Sequence, residues 1–132
     1  MQPMQHEIEA ILTRQLASYL STPIFLVDLD GTLLFYNEPA EVILGHRFED
    51  TGEMAAAEWT TAFTPVDDDG TQIPPDGLPL IMALKERRPA HRTFWIRGLD
   101  GQRRHLAVTA LPLIGQTQRC IGAVAIFWEI HP

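Results

Sequence analysis

The sequence predicts an α+β fold built on a five-stranded antiparallel sheet, and three observations lead to it. Strand-like apolar blocks fall at 24–28, 32–36, 92–98, 103–114 and 119–130, and Asp-Gly turns join the first pair and the middle pair. The helical stretches are grouped before and between these blocks, which excludes an alternating parallel sheet. The first strand, IFLV, and the last, IGAVAIF, are apolar on both faces and therefore belong side by side at the centre of the sheet.

Each element has its own local reason. Residues 4–20, MQHEIEAILTRQLASYL, set Ile8, Ile11, Leu12, Leu16, Tyr19 and Leu20 at helical spacing, with Glu7, Glu9, Arg14 and Gln15 largely elsewhere. This predicts an amphipathic helix over residues 1–21, stopped at Ser21-Thr22-Pro23 because the residue before a proline is pushed out of the helical region. A single domain then covers 22–132. Residues 24–28 and 32–36 form a hairpin around Leu29-Asp30-Gly31, where Asp-Gly supplies the positive φ of a tight turn. Asn37-Glu38-Pro39-Ala40 has the order of a helix start, a capping side chain, an acid and an early proline, and Gly45 stops that helix after Val42, Ile43 and Leu44. EMAAAEWTTAF predicts one helix, its buried side made by Met54, Ala57 and Phe63 or by Trp59 and Phe63, and PVDDDGTQIPP reads as a polar, turn-rich loop. Asp76-Gly77-Leu78-Pro79 opens a clearer helix, LPLIMALKERR, with Leu80, Ile81 and Leu84 on one side and a basic last turn that suits the helix dipole. Pro89 closes it. RTFWIRG, RRHLAVTALPLI and RCIGAVAIFWEI follow as strands, joined by the Leu99-Asp100-Gly101-Gln102 turn and the GQTQ loop.

Composition narrows the function. A chain of 132 residues with 45% hydrophobic and 20% charged residues suits one folded domain with a single core. The formal net charge of -7 argues against nucleic acid or an anionic membrane as partner, since both require a basic patch. One cysteine, Cys120, excludes an internal disulfide framework and a thiolate zinc cluster. No run of about 18 apolar residues occurs, and the N-terminus lacks the basic-then-apolar order of a signal peptide, so a cytoplasmic protein is expected.

FLVDLDGTLL, residues 25–34, also looks like the first motif of haloacid-dehalogenase-type phosphatases, with Asp28 as nucleophile and Asp30 as acid and base. That reading fails on its context. Such an enzyme draws its phosphate-holding and magnesium-holding groups from the ends of successive parallel strands. Here Asp67-Asp68-Asp69 precedes the only lysine, Lys85, and the chain runs straight from Thr32 into a second strand with no crossover. The Asp67–Gly70 run lacks the spaced acids and closing glutamate of a calcium loop and reads as a solvated turn.

Three stretches together carry a family likeness. PIFLVDLDGTLLFYNEPAEVILG resembles the opening of a PAS domain, with its apolar strand, Asp-x-Asp-Gly turn, second strand, Asn-x-x-Ala and Leu-Gly ending. DDDGTQIPPDGLPLIMALKERRP is similar to the middle of one bacterial PAS subgroup, and IRGLDGQRRHLAVTALPLIGQTQRCIGAVAIFWEI resembles the PAS ending, down to the Glu-Ile that often leads into an output helix. The likeness covers about residues 22–130. It implies strand order 2-1-5-4-3 and a non-enzymatic sensory module of signal transduction, two-component systems included. Such a module binds a small ligand between sheet and helices, or forms a dimer, and regulates an output domain or partner protein.

Strand alternation then assigns faces. With the helix after Asn37 on the inner face, Phe25, Val27, Leu34 and Tyr36 point toward a pocket, and Ile24, Leu26, Leu33 and Phe35 point outward. Trp95, His105 and Trp128 join the pocket candidates as amphipathic groups suited to a ligand. The outward Leu26, Leu33 and Phe35 need a cover, and Ile8, Ile11, Leu12, Leu16 and Tyr19 of the N-terminal helix supply it in an expected homodimer. The cofactor is unknown. The Asn-Cys-Arg-Phe string of a flavin-adduct PAS domain is absent, and residues 77–88 lack the histidine of a haem PAS domain, so both groups are disfavoured. No metal ligand set is expected.

Overall fold

A computed structural model describes residues 21–131; the amphipathic helix expected at the N-terminus, with Ile8, Ile11, Leu12, Leu16 and Tyr19, lies outside them. The chain opens with a hairpin of β1 (Ile24–Asp28) and β2 (Leu33–Tyr36). Four helices follow, α1 (Glu38–Leu44), α2 (Phe48–Thr51), α3 (Ala56–Ala62) and α4 (Pro79–Glu86), the last entered through a 3-10 turn at Pro75–Gly77. Strands β3 (Ala90–Arg97), β4 (Arg103–Ile114) and β5 (Cys120–Glu129) complete a sheet of order β2-β1-β5-β4-β3, antiparallel at every pairing. The two strands that are apolar on both faces are neighbours, with β5 at the centre.

The Asp-x-Asp-Gly-Thr turn occurs twice and is built the same way each time. At residues 28–32 the Asp28 carboxylate accepts from the backbone N–H groups of Asp30 (2.9 Å) and Thr32 (3.0 Å), and at 67–71 Asp67 accepts from Asp69 and Thr71, both at 3.0 Å. The glycines, Gly31 and Gly70, hold φ of 83° and 84°, which a side chain would strain. Asp28 is thus a turn-closing acceptor between two antiparallel strands, an arrangement with no parallel strand end on which to mount a phosphatase nucleophile.

Asn37 does more than cap α1. Its Oδ1 accepts from Ala40 N (3.3 Å) as expected of an N-cap, and also from the Ile24 amide at 2.9 Å, while its Nδ2 donates to the Thr22 carbonyl at 2.8 Å. The side chain is 1% exposed and ties the start of α1 to the start of β1. At the other end of α1, Arg104 Nη1 donates to the Ile43 carbonyl (2.8 Å), and the same guanidinium binds Asp100 in the β3–β4 turn. Those bonds from Arg104, followed by the Gln102 amide, hold the Asp100 carboxyl below the usual carboxylate range.

Two local expectations change. The helix read over residues 53–63 begins only at Ala56, because Met54 pairs with Leu33 instead, its carbonyl accepting from Leu33 N at 2.7 Å. The β1–β2 pairing slips between Leu26 and Val27, so that Val27 faces Leu33 and Leu34 becomes the extra residue of a bulge. Leu33 is therefore fully buried in the core, where Leu34 was expected, and Leu34 is only half-buried.

Candidate ligand cavity

An apolar cavity of about 80 Å³ lies between the inner face of the sheet and the helices. Its floor comes from alternate residues of four strands. Phe25 of β1 stands opposite Ala125 of β5, Phe127 follows on the same face of β5, and Leu106 and Val108 of β4 and Phe94 and Ile96 of β3 extend the surface. Each of these positions is two residues from the next along its strand, which is how a pleated sheet presents one row of side chains to a single space. The roof comes from the helical segment. Leu44 at the end of α1, Trp59 in α3, Phe63 just after it, and Leu78 to Leu80 at the entry to α4 line the space opposite the floor.

Trp59 is the one wall residue with a polar side-chain atom, and that atom is committed. Its Nε1–H donates to the Gly31 carbonyl at 2.7 Å, and its ring meets Phe25 edge to face with centroids 5.1 Å apart. The wall holds no charged group, hydroxyl, histidine or cysteine. Among the described residues, no group of three or more His, Cys, Asp or Glu is placed to hold a metal ion. Cys120 is buried in β5, with its thiol turned to the Gly122 carbonyl at 3.4 Å, away from the cavity wall.

The residues singled out in the sequence divide between the two faces. Phe25 lines the cavity; Val27 and Tyr36 are in the adjoining core but not in the wall. Tyr36 stacks beside Phe25 and donates to the His46 carbonyl at 2.9 Å, with Thr51 Oγ1 3.0 Å away, and burial raises its phenol above the ordinary value. Leu34 stays out of the wall because of the bulge. Trp95, His105 and Trp128 also lie outside it, on the opposite face of the sheet, since their strand neighbours Phe94, Leu106 and Phe127 take the inward positions.

On that outer face Trp95 and His105 are cross-strand partners with rings 4.4 Å apart and 9° from parallel. Arg103 lies 4.3 Å over the indole, whose Nε1 donates to Asp68 at 3.1 Å. Trp128 is 47% exposed nearby. Of the expected dimer residues, Leu26 is on this face and 3% exposed, Phe35 packs edge to face on Phe48 of α2 (5.5 Å), and Leu33 is inside. Sequence reasoning missed most of the roof and floor. The floor's signal was the apolar periodicity of β3 to β5, which becomes a wall only once the register against β1 is known.

No family model matches the chain, and no curated protein matches it. Solved structures do. A PAS domain of a protein from Colwellia psychrerythraea is 18% identical with a TM-score of 0.64, covering 91% of this chain and 97% of its own. The PAS domain of BvgS from Bordetella pertussis is 15% identical at TM-score 0.60, covering 94% and 87%. A LOV domain from the Erythrobacter litoralis EL346 blue-light activated histidine kinase is 16% identical at 0.65, covering 86% and 99%.

Proposed function

The chain carries the PAS fold, and from that premise we propose that it works as a sensory, signal-transducing module. A small ligand in the cavity, or a bound partner protein, regulates an output domain in cis or in trans. The observation that supports this most directly is an apolar cavity bounded at once by the central strands and by α1, α3 and α4. Leu44 of its wall ends α1, and Asn37 at the other end of the same helix is bonded to Thr22 and Ile24, where the N-terminal segment joins. A change in packing around Leu44 thus has a short route to the segment that would carry the signal. The histidine kinase origin of the Erythrobacter domain suits a two-component output.

In this reading the module is cytoplasmic, non-enzymatic and homodimeric. The dimer forms where Ile8, Ile11, Leu12, Leu16 and Tyr19 meet the outer sheet face beside Leu26 and Phe35. Among the described residues no helix is long and apolar enough to cross a membrane. Native mass spectrometry with an absorption spectrum of freshly purified protein tests the sensor reading; a co-purifying mass lost on unfolding supports it, and bare protein that takes up nothing from a small-molecule panel counts against it. Removing residues 1–20 should lower the mass seen by light scattering; an unchanged dimer would rule out that helix as the main interface. A generic phosphate ester with magnesium should not be turned over, and turnover lost in Asp28→Asn would restore the phosphatase.

A further inference from the structure

We infer that the ligand of the cavity is a small neutral hydrocarbon, of about the bulk of one aromatic ring, and that the cavity rejects anions; this rests on the reading of the cavity as the sensory site. The wall is the argument. The indole N–H of Trp59 is taken by the Gly31 carbonyl, and no other wall side chain can accept or donate a hydrogen bond. A carboxylate, phosphate or ammonium placed there would lose its water and find no partner, a cost that burial of the rest of a small molecule does not offset. Water is no better an occupant. A wall without free donors or acceptors holds water poorly, because a water needs two or more polar partners.

Shape and size narrow the class further. Phe25, Trp59, Phe63, Phe94 and Phe127 surround the space, and aromatic edges and faces favour a further ring or a branched alkyl group among them. An apolar cavity of about 150 Å³ in another protein takes one benzene. At about 80 Å³ this one receives a single ring only with a small outward shift of the wall, so a fused tricycle or a porphyrin does not fit.

Toluene and benzoate are the probes, being alike in shape and unlike in charge. The full chain is melted with each, and the methyl signals of Ala125, Val108 and Leu80 are followed by NMR. Toluene should raise the melting temperature by about 5 °C at ten times its Kd, shift those methyls, and bind at least ~100-fold more tightly than benzoate. In Ala125→Ile, which puts three more carbons into the space, the toluene effect should vanish. If that variant does not fold, the wild-type methyl shifts decide alone. Benzoate binding as well as toluene at the same methyls would overturn the ligand class and leave the sensory site standing. Toluene shifting only methyls remote from the cavity would overturn the inference. No response of the three methyls to either probe would overturn the hydrocarbon class, and, joined to bare protein that takes up nothing from the small-molecule panel, the sensory-site reading as well.

Discussion

Asn37 performs two tasks, capping α1 and clamping the start of β1, and serine in its place separates them. Serine caps a helix about as well as asparagine, so Asn37→Ser keeps the bond to Ala40 N. It is too short to reach both the Ile24 amide and the Thr22 carbonyl, now bonded at 2.9 and 2.8 Å. The Ile24 amide is buried, and leaving such a donor unpaired costs about 1–3 kcal/mol. The Thr22 carbonyl is partly open to water and adds less. Asn37→Ser should therefore lose about 2 kcal/mol, and Asn37→Ala about 1 kcal/mol more through loss of the cap. These are large shares of a total near 5–15 kcal/mol. Urea titrations followed by tryptophan fluorescence would read the serine loss as a midpoint about 1 M lower at unchanged slope. Amide exchange at Ile24 should accelerate in both variants. A serine variant with the wild-type midpoint, beside an alanine variant that has lost only the cap, would show that the clamp contributes nothing.

Three further outcomes follow from the geometry. Gly122 of β5 passes so close to the Val27 carbonyl that an added Cβ would overlap it, so Gly122→Ala should part β1 from β5 and cost about 3 kcal/mol or more, seen as a large fall in Tm by circular dichroism. Asp100 has a depressed carboxyl pKa in the folded state, so its contribution is present above the unfolded value of 3.8 and is lost as pH falls through the folded value. Wild type and Asp100→Asn should accordingly differ in urea midpoint at pH 7 and converge toward pH 2. Tyr36 has a raised phenol pKa, so its contribution is complete below pH 10 and declines as pH rises through the folded value. In a Tyr19→Phe background the remaining tyrosine should titrate late by ultraviolet absorbance, and Tyr36→Phe should cost about 1 kcal/mol through its lost hydrogen bonds.

Elements set by neighbouring residues were legible in advance. The β1–β2 hairpin, the Asn37 cap, the Gly45 stop and the full span of β4 follow from chemistry within a few positions, and the central, neighbouring places of the first and last strands followed from their being apolar on both faces, while the full strand order came from the PAS resemblance. Phe25 could be placed inward because only one alternation had to be followed from the hairpin. Leu34 could not, because a one-residue slip exchanges its face with that of Leu33, and nothing in LLFY announces it. Trp95, His105 and Trp128 were misplaced for a related reason: β3, β4 and β5 pair with one another locally, but which of their faces is inward is set by the distant pairing of β5 with β1.

The amino-acid order by itself thus determined the fold class, the turns, the caps and the absence of any parallel scaffold for Asp28, since each rests on local backbone preference or on the count of apolar faces. Only the tertiary structure decided which apolar residues share a wall. Trp59 and Leu44 come from helices, and Phe63 from the residue after one, whose docking no short stretch specifies, and they meet Phe25, Ala125 and Phe127 only once distant strands are in register. A cavity is made where packing stops short of filling space, and that is a property of the whole fold rather than of any segment in it.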